Sequence, residues 1–129
     1  VKKILLDTQA LLWIRADHPG LSKKAKNAYR KKENEVFVSV VSFWELAIKK
    51  SLGKIEMTGT LKEFIDSAFE RLGLSLLPLT LDHILKVDLL PFHHRDPFDR
   101  ILAAQALCEG MEVVAGDSEF DKYGVKRIW

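Results

Sequence analysis

Lys3-Ile4-Leu5-Leu6-Asp7-Thr8 runs through a short apolar stretch into an acid, and Val113-Val114-Ala115-Gly116-Asp117 repeats that arrangement near the other end of the chain. An apolar run that stops at a carboxylate reads as a buried strand with the acid at its carboxyl edge. Thr8 to Ala16 then sets Leu11, Leu12 and Trp13 among polar neighbours at helical spacing, so strand passes at once into helix. The alternation continues outward from there. Pro19-Gly20 marks a turn, and Ser22 to Lys32 carries Lys23, Lys24, Lys26, Arg30, Lys31 and Lys32, a solvent-facing helix. Glu35 to Val41, with Val36, Phe37, Val38 and Val40, reads as a buried strand, followed by a helix from about Ser42 to Leu52 that Gly53 ends. Thr60-Leu61-Lys62-Glu63 has capping-box spacing ahead of Leu61, Phe64, Ile65, Ala68, Phe69 and Leu72, an amphipathic helix closed by Gly73. Leu74 to Leu77 suits a strand, Leu81 to Val87 a short helix, Pro97 to Glu109 a helix stopped by Gly110, and Ser118 to Lys122 a helical turn. Strands at about 3–6, 36–40, 74–77, 112–115 and 125–128 therefore alternate with helices. The expected fold is an α/β sandwich with a central, mostly parallel, five-stranded sheet flanked by helices.

The chain has 129 residues, 47% of them hydrophobic, enough to bury a core in one domain spanning 1–129. Twenty Lys and Arg against eighteen Asp and Glu leave a net charge of +2, which argues against a disordered or polyanion-coating protein and leaves nucleic-acid contact to local patches. The lone Cys108 can form neither an internal disulfide nor a Cys-rich zinc site, and its apolar surroundings suggest a buried structural thiol in a reducing cytoplasm. No run approaches the roughly 18 to 20 apolar residues that span a bilayer, so no membrane association is expected.

Asp7 and Asp117 each follow a strand and point to one rim of the sheet, where open α/β folds collect ligands. Glu45 falls in the first turn of the helix after the second strand, and Asp96 and Asp99 open another helix, ends that also face that rim. Each acid has a structural reading as well. Ser42-Phe43-Trp44-Glu45 has capping-box spacing, Asp96 and Asp7 sit where helix caps belong, Asp99 suits a first helical turn, and Asp117 suits a turn. Taken together, five carboxylates converging on one pocket repel one another unless protonated, paired with cations or bound to metal. Hard oxygen ligands select Mg²⁺ or Mn²⁺, ions suited to phosphoryl chemistry.

The combination of Ile4-Leu5-Leu6-Asp7-Thr8, Ser39 to Glu45 with Leu46-Ala47, Asp99-Arg100-Ile101-Leu102-Ala103-Ala104-Gln105-Ala106 and Asp117-Ser118-Glu119-Phe120 resembles the PIN domain, and more narrowly the VapC-type toxins of toxin–antitoxin pairs. His94-Arg95-Asp96-Pro97-Phe98-Asp99-Arg100 is the most specific segment of the resemblance, which spans essentially the whole chain. It implies a PIN-like three-layer sandwich and an Mg²⁺- or Mn²⁺-dependent endoribonuclease that leaves 5′-phosphate and 3′-hydroxyl ends. By matching motifs, Asp7, Glu45, Asp99 and Asp117 are its metal-binding acids, Asp96 is a further acid of the same loop, and Asp7 and Asp99 are the firmest ligands. The resemblance also implies a cognate antitoxin and a homodimer. The chain departs from the family at Ala115, where many members carry Thr or Ser.

Lys49 and Lys50, on the helix that bears Glu45, are candidates for RNA contact, as is Arg100, which could equally form a structural ion pair; the Lys23 to Lys32 run reads either as an RNA-backbone surface or as a solvated face. His93 and His94 are candidate metal or acid–base groups, His18 and His83 read as surface residues, and Trp13, Phe43 and Trp44 as core or interface. Two rival functions remain open: aspartyl-phosphate phosphotransfer or phosphatase chemistry on Asp7, and a non-catalytic RNA- or protein-binding module whose acids only cap helices. Asp7-Thr8-Gln9 lacks the second acid, two residues on, that many aspartyl phosphatases use.

Overall fold

The computed structural model describes residues 2–92 and 95–129, so the His93 and His94 candidates lie outside the described residues. In chain order the elements are β1 (Lys3–Leu6), α1 (Thr8–Ala16), α2 (Lys23–Arg30), β2 (Glu35–Ser39), α3 (Val40–Ser51), α4 (Leu61–Glu70), β3 (Ser75–Leu77), α5 (Leu81–Leu89), α6 (Pro97–Glu109), β4 (Glu112–Val114), a 3₁₀ helix (Ser118–Tyr123) and β5 (Arg127–Ile128). The strands form one five-stranded sheet in the order β3-β2-β1-β4-β5, and every pairing is parallel.

β1 lies in the middle, with Ile4 opposite Val36 on one side and Glu112 on the other. Its three apolar residues are all fully buried because helices cover both faces of the sheet. Ile4 and Leu6 enter a core layer with Leu11 and Ile14 of α1 and Phe64 and Ala68 of α4, while Leu5 enters a second layer with Leu102, Ala103 and Ala106 of α6. Helices on either side of a parallel sheet make the expected three-layer sandwich.

Local chemistry sets the element ends. Thr60 and Glu63 form the expected capping box on α4, Pro97 opens α6, and Gly110 closes it in the left-handed region at φ 65°. The β2–α3 junction differs from the sequence reading, which places Val40 and Val41 in the strand and starts the helix at Ser42. Ser39, fully buried, accepts the Val41 N–H at 3.1 Å and caps a helix that begins at Val40. This side-chain cap outweighs the strand preference of two valines.

Two expected burial states are also reversed. Cys108 is exposed, on the outer side of the last turn of α6. His83 is buried, 1% exposed: its Nδ1 accepts the Thr80 N–H at 3.1 Å and its Nε2 lies 3.0 Å from Glu109 Oε2. His83 is thus the N3 partner of a capping box on α5, a place the sequence pattern of Glu or Gln at N3 does not flag. Among the described residues no helix is long and apolar enough to cross a membrane.

Ser39→Ala is expected to cost about 1 kcal/mol through loss of the α3 cap. Urea unfolding reads this as a lower midpoint at unchanged slope, and an unchanged midpoint would place the start of α3 elsewhere.

Candidate active site

The strand order reverses between β1 and β4, and the five acids named from the sequence gather at the carboxyl rim of that junction. Asp7 is the first residue past β1. Its N–H donates to Val114 O at 3.0 Å, extending the sheet by one rung, and its Oδ1 accepts the Ala10 N–H at 2.7 Å as the cap of α1. Asp96 caps α6 by accepting the Phe98 N–H at 2.9 Å, and Asp99 lies in the first turn of the same helix. Asp117 caps the 3₁₀ helix by accepting the Glu119 N–H at 2.9 Å. Asp7, Asp96 and Asp117 therefore do serve as caps, and they nevertheless face one another.

Glu45 is different. With Ser39 as cap it stands in the second turn of α3, not the first, and the Ser42–Glu45 capping box expected from spacing does not form. Glu45 is 4% exposed and held at both oxygens: Oε1 accepts the Thr8 hydroxyl at 2.7 Å and Oε2 pairs with Lys49 Nζ at 2.8 Å. The Thr8 Oγ1 also lies 3.0 Å from Ser42 Oγ, which completes a buried polar row.

Asp7, Glu45, Asp96, Asp99, Asp117 and Lys49 line one cavity of about 490 Å³. Among the described lining residues Lys49 is the one cation facing five carboxylates. Burial pushes the Asp7 carboxyl from the ordinary 3.8 up to about 7; the charges of Glu45 and Asp117 add to this, while the Ala10 N–H and Lys49 oppose it. Lys49 is held above the usual lysine range, first by its hydrogen bond to Glu45; burial opposes this, and the charges of Glu45, Asp96 and Asp99 add to it. The ammonium stays charged and fixes Glu45.

Among the described residues no three acidic, imidazole or thiol side chains close on a single point as a finished metal cage. The acids instead face a shared volume from four elements. Such a set fits a hard cation such as Mg²⁺, which keeps much of its water shell and needs few direct protein oxygens. A soft metal finds neither sulfur nor imidazole among the described lining residues.

Other expectations fare differently. Lys50 is exposed and does not line the cavity, and neither does the Lys23 to Lys32 run. Arg100 meets neither a carboxylate nor the cavity: Nη1 donates to Pro91 O at 3.0 Å, Nη2 to Val87 O at 3.1 Å, and the guanidinium rests over the Phe92 ring at 5.1 Å. It ties the chain after α5 to α6. Sequence reasoning passed over Thr8, Ser42 and Trp129 as members of the site. A hydroxyl directly after the first acid was the available signal for Thr8; nothing in the sequence pointed to Trp129.

Because Asp7 ionises near 7 in the fold and near 3.8 unfolded, the native state retains a proton across that interval, and stability falls as pH rises through it. The full difference corresponds to about 4 kcal/mol. Asp7→Asn keeps an acceptor for Ala10, so with chelator present it is expected to match wild type near pH 4 and to exceed it at pH 8 by up to about 4 kcal/mol. Urea titration at the two pH values checks this; equal stability at pH 8 would show that Asp7 carries no such penalty.

The sequence matches the PIN domain family model over residues 4–126. No curated protein sequence matches it. Among solved structures the fold is similar to VapBC2 from Rickettsia felis bound to a DNA fragment from their promoter, with a TM-score of 0.71 and 14% identity over 98% of this chain and 99% of that one. It is similar also to FitAcB from Neisseria gonorrhoeae, with a TM-score of 0.64 and 20% identity over 96% of this chain and 95% of that one. VapBC-1 from nontypeable Haemophilus influenzae gives a TM-score of 0.64 and 15% identity over 97% and 96% of the two chains. The family match runs from β1 through β4 to the residue before β5 and takes in every acid of the cavity, from Asp7 to Asp117, and on that ground the chain belongs to the PIN-domain family.

Proposed function

We propose that this chain is an Mg²⁺- or Mn²⁺-dependent endoribonuclease, the toxin of a toxin–antitoxin pair. The observation that carries the reading is the convergence of five carboxylates on one cavity, with Asp7 buried against the charges of Glu45 and Asp117. Membership in the PIN family, a family of nucleases, supports it. Asp7 and Asp99 would hold the cation directly, with Glu45 and Asp117 acting in part through water and Asp96 adding charge from the same loop. Once bound, a divalent ion makes water acidic enough to supply a nucleophile and offsets charge on the phosphodiester oxygens.

The chain's own residues supply position and charge. The Ala10 N–H sets the Asp7 carboxylate, Thr8 and Lys49 set that of Glu45, and the backbone of α6 sets Asp96, so little rearranges as substrate enters. Hydrolysis adds the water hydroxyl to phosphorus and its proton to the departing 3′-oxygen, giving 5′-phosphate and 3′-hydroxyl ends. Lys49 lies close enough to the acids to meet a substrate phosphate as well as Glu45.

Gln9, which stands where many aspartyl phosphatases place a second acid, favours this reading over phosphotransfer on Asp7. The five acids favour it over a purely structural role as well, since Ser or Asn would cap these helices without charges to bury. The structural neighbours VapBC2, FitAcB and VapBC-1 support a partner antitoxin. Leu81, Leu85, Leu89 and Phe92 are between 63% and 80% exposed, an apolar surface that supports docking of protein chains, an antitoxin and a second copy among them.

Purified protein free of any partner is expected to cut a mixed RNA pool with Mg²⁺ or Mn²⁺ and not with EDTA. Asp7→Asn and Asp99→Asn should each lower the rate by about two orders of magnitude or more while remaining folded. Undiminished cutting by folded Asp99→Asn protein would overturn the assignment of the site. A folded wild type that neither binds Mn²⁺ nor cuts RNA would overturn the function.

A further inference from the structure

Two indoles stand in the wall of the acidic cavity. Trp13, on α1, and Trp129, after β5, both line it, with ring centroids 5.7 Å apart and planes inclined by 44°. Each is only half-buried. Their supports are built into the chain. His18 stacks on Trp13 at 4.2 Å and 7°, and its own ring is held by the Gly20 N–H, which donates to Nδ1 at 2.8 Å. At Gly20 a Cβ would fall 2.8 Å from the Trp13 ring, so only glycine lets the loop pass behind that indole. At Gly116 a Cβ would fall 3.2 Å from Trp129, which places the second indole against the residue that immediately precedes Asp117.

Nothing in metal binding or phosphodiester hydrolysis calls for aromatic surface beside the acids. A nucleotide, however, presents a charged phosphate and a flat apolar base a few ångströms apart, and the cavity offers acids with one lysine next to indole surface. Bases stack on indoles with little regard to identity, because each has a π-face.

We propose that Trp13 and Trp129 form a nucleobase-stacking subsite, which receives the base of a nucleotide flanking the phosphate under attack. This rests on the ribonuclease reading above for the identity of that phosphate. The site takes single-stranded RNA, since a base within a duplex is already stacked on its neighbours and has no free face to offer. Stacking gives affinity without reading a base edge; Gln9, exposed at the same cavity, is placed to add an amide contact.

Two measurements separate the subsite from the nuclease reading. In a Trp44→Phe protein the remaining indoles are Trp13 and Trp129. Stopped-flow mixing of that protein with a short oligoadenylate and Mg²⁺ is expected to quench indole emission before cleavage, and the same oligomer with abasic positions is expected not to. In steady-state cleavage, Trp13→Leu and Trp129→Leu should each raise KM about tenfold with kcat within about threefold of wild type, and the difference should vanish on the abasic substrate. Trp13→Phe, which keeps a stackable ring on α1, should recover most of the KM and guards against a folding defect in Trp13→Leu. Equal quenching with and without bases, or an unchanged KM in both leucine variants, would overturn the subsite and leave the nuclease standing. A folded wild type that neither binds Mn²⁺ nor cuts RNA would overturn the nuclease, and base-dependent quenching would still decide the subsite.

Discussion

The burial of the Asp7 carboxylate at the end of the central strand is the constraint on which the site is built. β1 is covered on both faces, so the residue that follows it emerges inside the protein, and the hydrogen bond from its N–H to Val114 fixes where it emerges. The side chain is left 6% exposed, with the charges of Glu45 and Asp117 facing it. A fold that only needed a cap for α1 would do better with Ser or Asn, which accept the same N–H and carry no charge to bury. Two apolar core layers, one on each side of the sheet, supply the stability that such a placement consumes. The arrangement has the form of a site that sacrifices stability for function.

Glu45 depends on a second constraint, the register of α3. A helix starting at Ser42 would put Glu45 at N3 and turn its carboxylate back to its own cap. Starting at Val40, with Ser39 as cap, α3 carries Glu45 past its first turn and aligns it with Lys49 one turn further on. Thr8, the first residue of α1, then reaches across to it. The buried acid is therefore satisfied by a hydrogen bond and an ion pair, whereas Asp7 accepts the Ala10 N–H among the described residues. Burial, with the charges of Glu45 and Asp117 added to it, raises the ionisation of Asp7, and a cation beside it would oppose all three.

Much of the fold was legible in the sequence, because strands buried on both faces read as uninterrupted apolar runs and the helices carry their own caps. Ile4-Leu5-Leu6 and the Thr60 capping box are cases in point. The β2–α3 boundary was not, since Val40 and Val41 favour a strand and the cap that overrides them is a single serine among several. His83 and Cys108 failed for a related reason: burial depends on which face of a helix meets another helix, and α5 and α6 are too short of regular polar residues to show it. Asp7, Asp96, Asp99 and Asp117 were legible because each lies at the end of an element, whereas Glu45 lies past the first turn of α3. Lys49 was read as a substrate contact when its first partner is Glu45, a link that spacing of four residues allowed but did not select. Arg100 is held by the Pro91 and Val87 carbonyls and the Tyr123 hydroxyl, partners that leave no trace in a sequence.

Capping and ligand binding looked like competing explanations for each acid, and the geometry removes the competition. A cap uses one carboxylate oxygen: Oδ1 of Asp7, Oδ1 of Asp96 and Oδ1 of Asp117 accept backbone N–H groups. The same hydrogen bond fixes the side-chain torsion, so the direction of the second oxygen is set by the helix and not by a flexible chain. The amino ends of α1 and α6 also carry partial positive charge, which eases the gathering of anions at one rim before any cation arrives. The helix caps thus fix where these three carboxylates point, and they do so with backbone N–H groups that would otherwise lack partners.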